Sequence, residues 1–255
     1  MKLISVADRH VWVTGASTGI GRAVTIELAR RGAKVVASAR NESALDTLVR
    51  ECGDRVQALP LDVTDRQANR WAAEEISRRM GGLDIVFLNA GTCEYVDVAS
   101  FDSALFERTI RSNFLSMVYG IESALPLLRQ SPAPQLVGMS STVAYRGLPR
   151  SEAYGASKAA IKNLFESLQI DLARKAFRVS VVCPGFVRTP LTDRNDFPMP
   201  FRIEADEAAR RIVDGIEAGK PEIHFPRRFS LLFKLMTLLP DRLYIRLCAK
   251  MVKRP

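Results

Sequence analysis

Tyr154 and Lys158 stand four residues apart in a segment with helical spacing, so their side chains share one face. Such a pair suits proton exchange with an oxygen atom. A phenol ordinarily titrates at about 10, too high for efficient exchange near neutrality. An ammonium beside it favours the phenolate and brings that titration down, which makes a tuned general acid/base. Taken alone, a tyrosine–lysine pair at this spacing is an ordinary helix start. It gains chemical meaning only from what stands around it.

A second group of residues could hold a phosphate. Thr14-Gly15-Ala16-Ser17-Thr18-Gly19-Ile20-Gly21 ends a strand-like run and opens into a helix-spaced segment. Gly15 permits the tight turn, Gly19 leaves no side chain between the backbone and a pyrophosphate, and Gly21 lets the helix approach the strand. Ser17, Thr18 and Ile20 complete the turn, and the helix N-terminus offers free N–H groups to the phosphates. The segment is therefore expected to bind a dinucleotide. A nicotinamide cofactor supplies a hydride, which leaves the proton of a carbonyl reduction to the protein and hence to Tyr154. The second strand-like run closes on Ala39 without the acidic residue that NAD sites use for the ribose hydroxyls, and Arg40 follows. A guanidinium can pair bidentately with a 2′-phosphate, so NADP(H) is expected in preference to NAD(H).

These residues need elements to position them. Strand-like runs cover 11–14, 33–39, 56–59, 84–89, 135–140, 178–183 and 222–225, with helix-spaced segments over 21–31, 101–129 and 151–175 between them. This alternation predicts an α/β fold. It is a doubly wound, seven-stranded parallel sheet of Rossmann type with helices on both faces, followed by a C-terminal helical extension. Residues 1–226 form one catalytic domain in this reading, and residues 227–255 form the extension. Ligands in such sheets bind at the carboxyl ends of the strands.

Further motifs follow in order. Asp62-Val63 comes after the third strand, Leu88-Asn89-Ala90-Gly91 ends the fourth, and Asn113 lies in the long central helix. Ser141 follows the fifth strand, Tyr154-Gly-Ala-Ser-Lys158 opens the next helix, and Pro184-Gly185 with Val187 and Thr189 follows the sixth. With the G-x-x-x-G-x-G turn, this series resembles the short-chain dehydrogenase/reductase family in its single-domain subgroup, up to residue 226. Leu88 departs from the family's N-N-A-G. The resemblance implies a catalytic tetrad of Asn113, Ser141, Tyr154 and Lys158. Ser141 would donate a hydrogen bond to the substrate oxygen, Lys158 would also hold the nicotinamide ribose, and Asn113 would hold a water linking Lys158 to solvent. Ser140 is adjacent, and the thirteen-residue offset to Tyr154 favours Ser141. Asp62 would contact the adenine amino group beside the Val63 backbone, or else act as a turn residue ahead of a helix cap at Thr64 or Asp65. Asn89 would steady the central strand, Gly91 beside Ala90 would give the cofactor room, and Thr189 would contact the nicotinamide amide or the phosphates. Thr18 stands where some NADP-dependent relatives carry a second basic residue.

The implied activity is NADP(H)-dependent interconversion of a carbonyl and a hydroxyl group on a small molecule. A 3-oxoacyl thioester reductase and a non-catalytic NADP-binding regulator are the alternatives, although a regulator should have lost a tetrad member. A homodimer or homotetramer through the long helices is implied as well. Substrate contacts are expected from residues 92–95 and 142–150 and from a mobile lid over 187–203. Phe186, Leu191, Phe197, Met199 and Phe201 point to an apolar, lipid-like or steroid-like substrate, or else only pack the lid down.

Charge and cysteine usage narrow the classes. Residues 220–255 hold nine basic and two acidic side chains, a surplus of seven out of the formal +9 of the whole chain. The surplus lies in the extension, so nucleic acid is not an expected partner. There Phe229–Leu239 is apolar, Pro240-Asp241 punctuates, and Arg242, Arg246, Lys250 and Lys253 form a basic stripe with Tyr244, Leu247, Cys248 and Met251 on the other side. Two readings stay open: peripheral contact with an anionic membrane, or an arm packed on its own domain or across a dimer. Cys52, Cys93, Cys183 and Cys248 form no C-x-x-C pair, and His10 and His224 are isolated, so no metal site is expected and a reducing, cytoplasmic setting is. No leader segment or membrane-spanning run is recognisable.

Overall fold

The computed structural model describes residues 3–251. Its seven strands are β1 (His10–Thr14), β2 (Lys34–Ala39), β3 (Val56–Pro60), β4 (Ile85–Leu88), β5 (Gln135–Met139), β6 (Arg178–Pro184) and β7 (Glu222–Phe225). All pair in parallel in the order β3-β2-β1-β4-β5-β6-β7. Parallel strands need crossovers, and the connections here are helices that cover both faces.

Strand alternation divides the core in two. Val11, Val13, Val35, Ala37, Ile85 and Phe87 turn to one face, where they meet Val24 and Leu28 of α1 (Gly19–Arg30), Leu45 and Leu48 of α2 (Glu42–Cys52), and Ile212, Val213 and Ile216 from further along the chain. Trp12, Val36, Val86, Leu88 and Leu136 turn to the other. They meet Ala72 and Ile76 of α3 (Arg66–Met80), a long helix over 103–128, and Ile161 and Phe165 of α6 (Glu152–Leu172). The helix carrying Ile212 is α7 (Ala205–Glu217). Side chains apolar on consecutive residues are what a sheet buried on both faces requires.

Helix boundaries follow local chemistry. Asn41 caps α2 through Ala44 N–H, Asp65 caps α3 through Gln67 and Ala68 N–H, and Gly81 ends α3 in the left-handed conformation. The first helix begins at Gly19, two residues earlier than the apolar spacing indicated, so the glycine turn itself forms its N-terminus. The long central helix is not uniform. It divides into α4 (Ser103–Ile110), a π turn over Arg111–Leu115, and α5 (Ser116–Leu128). A π turn widens the helix locally and re-aims one side chain. Here the buried side chain in that turn is Asn113.

The extension forms α8 (Arg227–Met236) and α9 (Asp241–Ala249), separated at Pro240. Its first helix is fastened to the domain: Phe229 is buried, and a Cβ built on Gly185 would stand 2.7 Å from its ring. Arg146 Nη1 donates to the Met236 and Leu239 carbonyls at 2.8 Å each, and Tyr244 Oη donates to Gly147 O at 2.5 Å. Only Tyr244 and Cys248 of the four residues expected opposite the basic stripe are buried, while Leu247 and Met251 face solvent. Lys253 lies outside the described residues. No helix among the described residues is long and apolar enough to cross a membrane.

Candidate active site

The sheet reverses its winding between β1 and β4, and a cleft of about 370 Å³ opens over the carboxyl ends of the central strands. Gly15, Ser17, Thr18, Gly19, Ile20 and Gly21 form its floor at one end. Gly15 has φ +68° and Gly19 φ +56°, the left-handed region that glycine adopts without penalty. Gly21 is fixed by close approach instead. A Cβ there would stand 2.2 Å from Gly15 O and 2.4 Å from Asn89 Nδ2. Thr18 caps α1 without a side-chain hydrogen bond, so the first N–H groups of the helix face the cleft. Asn89 ties this turn to β4: its Nδ2 donates to Thr14 O at 3.1 Å and Gly15 O at 3.2 Å, and its own N–H donates to Thr14 Oγ1 at 3.0 Å. The residues present fit a dinucleotide pyrophosphate on these grounds.

Arg40, exposed at the end of β2, lines the same cleft with Asp62 and Val63. Arg40 forms no ion pair among the described residues, although its positive charge reaches Asp62. Asp62 Oδ1 accepts from Thr64 N at 2.9 Å and Thr64 Oγ1 at 2.8 Å. The Thr64 N–H, chiefly, holds the Asp62 carboxyl below its ordinary range, against the opposing effect of burial. Asp62 is thus a turn residue that also borders the cleft, and Asp65 is the cap.

Ser141, Tyr154 and Lys158 line the other end, with Ala90, Gly91, Pro184, Gly185, Val187 and Thr189 between. The Ser141 hydroxyl accepts from Val143 N at 3.3 Å and donates to Pro184 O at 3.5 Å, and it favours the ionised form of the Tyr154 phenol beside it. Neighbouring Ser140 is buried, with its hydroxyl donating to Lys158 O at 2.8 Å. Both serines border the cleft, but the Ser140 hydroxyl is committed to Lys158 O, which leaves Ser141 as the serine that acts on Tyr154. Lys158 Nζ donates to Met139 O at 2.9 Å and stands 5.6 Å from the Tyr154 ring centroid. Burial pushes the Lys158 ammonium down to about 8. The expected lowering of the Tyr154 phenol does not occur in the free protein. Burial raises it first, Cys93 adds to the rise, and the Ser141 hydroxyl opposes both. The ammonium is engaged by Met139, and desolvation of the phenol wins.

Asn113 is fully buried. Its Oδ1 accepts from Thr92 N at 2.7 Å, and its Nδ2 donates to Thr92 O and Ser157 Oγ at 2.9 Å each. Both amide protons are spent on protein, so one Oδ1 lone pair remains for a water. Gly91 serves this packing, since a Cβ there would stand 2.9 Å from Asn113 Oδ1.

A profile described as short chain dehydrogenase matches residues 9–197. The chain belongs to the short-chain dehydrogenase/reductase family of oxidoreductases. The family binds nicotinamide dinucleotides and acts on small molecules. Among its members, an uncharacterized oxidoreductase of Myxococcus xanthus (strain DK1622) is 35% identical, covering 95% of this chain and 97% of its own. An 11-beta-hydroxysteroid dehydrogenase-like 4A protein of Arabidopsis thaliana is 32% identical over 93% of this chain and 83% of its own. The crystal structure of a short-chain dehydrogenase/reductase from Burkholderia phymatum, solved in complex with NAD, superposes with a TM-score of 0.84 at 22% identity, covering 92% of this chain and 94% of that one. The last shares the fold.

Several site residues of this family member were not singled out from the sequence. Thr14 and Ser157 orient Asn89 and Asn113, and Met139 supplies the carbonyl that holds Lys158. Ser157 lies three residues beyond Tyr154, one helical step that could have marked it. Met139 acts through its backbone, which no residue type reveals. Of the five apolar side chains assigned to a substrate pocket, Leu191 lines the cleft. Phe186 and Phe197 pack on each other, with ring centroids 6.0 Å apart. Phe186 also packs on Phe229 at 5.4 Å, and Phe197 on Tyr95 at 5.7 Å. The segment expected as a lid is closed at its base by a bridge between Val187 and Ile203 and latched at its tip by Tyr95 Oη donating to Asn195 Oδ1 at 2.6 Å. No group of three or more candidate metal ligands occurs among the described residues, and His224 is engaged with Ser230.

Proposed function

We propose that this family member is an NADP(H)-dependent reductase/dehydrogenase that interconverts a carbonyl and a hydroxyl group, with Tyr154 as acid/base. The supporting observation is that Ser141, Tyr154 and the buried Lys158 ammonium line the same cleft as the glycine turn. When bound, the cofactor supplies or accepts the hydride. Tyr154 donates its proton to the carbonyl oxygen as negative charge develops there. Ser141 holds a hydrogen bond on the same oxygen and stabilises that charge. Lys158 favours the resulting phenolate by its charge, and Asn113 fixes the Thr92 backbone and Ser157 around it. In the oxidative direction Tyr154 accepts the proton from the alcohol.

Arg40 supports the 2′-phosphate, because it is an exposed guanidinium at the cleft rim on a strand that ends in Ala39. An apolar substrate is supported by Leu191 in the cleft and by the aromatic side chains of Tyr95 and Phe197 at the lid. The name of the Arabidopsis relative is consistent with such a substrate. A dimer or tetramer through the long helices belongs to the same reading, and Ile170 of α6, 76% exposed, is a candidate contact.

The test is oxidation of NADPH and of NADH across a panel of ketones, aldehydes and 3-oxoacyl thioesters, with Tyr154→Phe alongside. Turnover of apolar ketones by the wild type and its loss in the variant are expected. Turnover confined to 3-oxoacyl thioesters would select that activity instead. Tight NADPH binding with no turnover on any substrate would turn the reading towards a regulator.

A further inference from the structure

Eight of the fourteen exposed large apolar side chains among the described residues fall between Leu231 and Met251, so apolar exposure is concentrated in the extension. Helix α8 explains why. Its buried residues are Phe229 and Ser230, and the partly buried Phe233 packs on Phe229 with ring centroids 4.6 Å apart. Leu231 and Leu235 fall on the opposite side at the helical repeat, Leu232 falls on the flank, and all three remain exposed. A helix that is apolar on both sides needs an apolar partner on each. In α9 the buried side is Tyr244 and Cys248. Leu243, Leu247 and Met251 recur every four residues on a separate, exposed side.

Cations frame these leucines. Arg227 and Arg228 open α8, and Arg242, Arg246 and Lys250 form a stripe beside the Leu243–Met251 row. None of the five forms an ion pair among the described residues. The two carboxylates of the region are committed elsewhere, Glu222 to Lys234 at 2.9 Å and Asp241 to Arg146 at 2.5 Å. The surface is also held in place. Arg146 binds the α8–α9 junction through two carbonyls and lies 3.9 Å over the Tyr244 ring. The extension is therefore a fixed face of the domain.

We propose that α8 and α9 form a docking face for an anionic lipid bilayer. The outward leucines supply the apolar contact, and the five unpaired cations draw acidic headgroups. Charge decides between this occupant and a second copy of the chain. A two-fold contact through this face would press the same cations against each other, with no carboxylate free to offset them. The docked face would adjoin the cleft, because Phe229 packs on Phe186 at the base of the lid and Arg146 belongs to the loop that follows Ser141. This consequence for substrate entry rests on the reductase reading, whereas the docking does not.

The experiment is flotation of the full chain with vesicles of phosphatidylcholine alone and of phosphatidylcholine with phosphatidylserine. Two double variants accompany it, Leu231→Asp with Leu235→Asp and Arg242→Glu with Arg246→Glu, each checked by thermal melting against the wild type. Binding to the anionic vesicles should exceed that to the neutral ones by about tenfold or more. It should weaken at about 0.5 M salt, and each double variant should lose it. The proposal is overturned by absence of binding to either vesicle, by equal binding to both, by retention in both variants, or by wild-type self-association that the leucine variant dissolves. Turnover of a water-soluble ketone without vesicles, expected equal in wild type and variants, reads the reductase assignment separately. Its absence would count against that assignment and leave the docking result standing.

Discussion

The Lys158 ammonium donates to the carbonyl oxygen of Met139 at 2.9 Å, which joins the helix bearing Tyr154 to the strand that leads into Ser141. One buried hydrogen bond thereby sets the spacing between the two hydroxyl groups of the candidate site. Burial of the ammonium, against which this bond works, brings its titration to about 8 instead of the ordinary 10.5. Below pH 8 the folded and unfolded chains both carry this proton, and the cost of burying the charge is present in full. Between about 8 and 10.5 the unfolded chain keeps a proton that the folded chain has released, so this group makes stability rise with pH. Lys158→Met removes that slope. Urea denaturation at intervals from pH 7 to 10 should show the wild type gaining on the variant as pH rises. A constant difference would show that Lys158 is not buried as a cation.

Tyr154→Phe should lower kcat by about 10²- to 10⁴-fold, and Ser141→Ala by about 10²- to 10³-fold. Dinucleotide affinity, measured by fluorescence titration, should stay near the wild-type value in both. Burial keeps the Tyr154 phenol protonated across the neutral range. Carbonyl reduction, which uses the protonated form, should therefore be flat with pH near neutrality. Alcohol oxidation, which uses the phenolate, should climb as pH rises. A climb of equal size in Tyr154→Phe would reassign the acid/base.

Arg40→Glu should exchange cofactor preference. Losing a charge-assisted bond of about 1.5–3 kcal/mol corresponds to roughly ten- to hundredfold weaker NADPH binding. NADH should gain, because a carboxylate at this place can accept from the ribose hydroxyls. Paired KM measurements for the two cofactors check this, and unchanged NADPH affinity would remove Arg40 from the site.

Gly21→Ala tests the turn by volume alone. The added methyl would stand 2.2 Å from Gly15 O and 2.4 Å from Asn89 Nδ2. Overpacking of this kind costs about 1–3 kcal/mol. The melting temperature should fall and dinucleotide binding should fall with it. A variant that keeps both would mean that the turn relaxes without deforming the cleft.

Much of the fold was legible because it depends on short-range patterns. The apolar runs of Val35–Ala37 and Ile85–Leu88 announced strands buried on both faces, and each became one. The central helix was harder. Its apolar spacing runs unbroken from Ser103 to Leu128, and nothing in that spacing marks a π turn. The extra residue is accommodated where Asn113 meets Thr92, a partner from another loop. The apolar residues of the lid were equally ambiguous, since Phe186 and Phe197 could face a ligand or each other. They face each other, with Phe186 also on Phe229 and Phe197 also on Tyr95, and the first of these choices required the position of α8.

By itself, the sequence determined the order of strands and helices, the glycine turn at the first of them, and the shared face of Tyr154 and Lys158. Each of these follows from strand alternation, the helical repeat or backbone sterics, which act between near neighbours in the chain. Only the tertiary structure decided that the Ser140 hydroxyl is committed to Lys158 O and leaves Ser141 to act on Tyr154, that Lys158 is held by Met139, and that Arg146 fastens the extension beside the cleft. Those relationships join residues 13 to 95 positions apart. They exist only once packing has paid the entropy of bringing distant segments together and has removed water from between them.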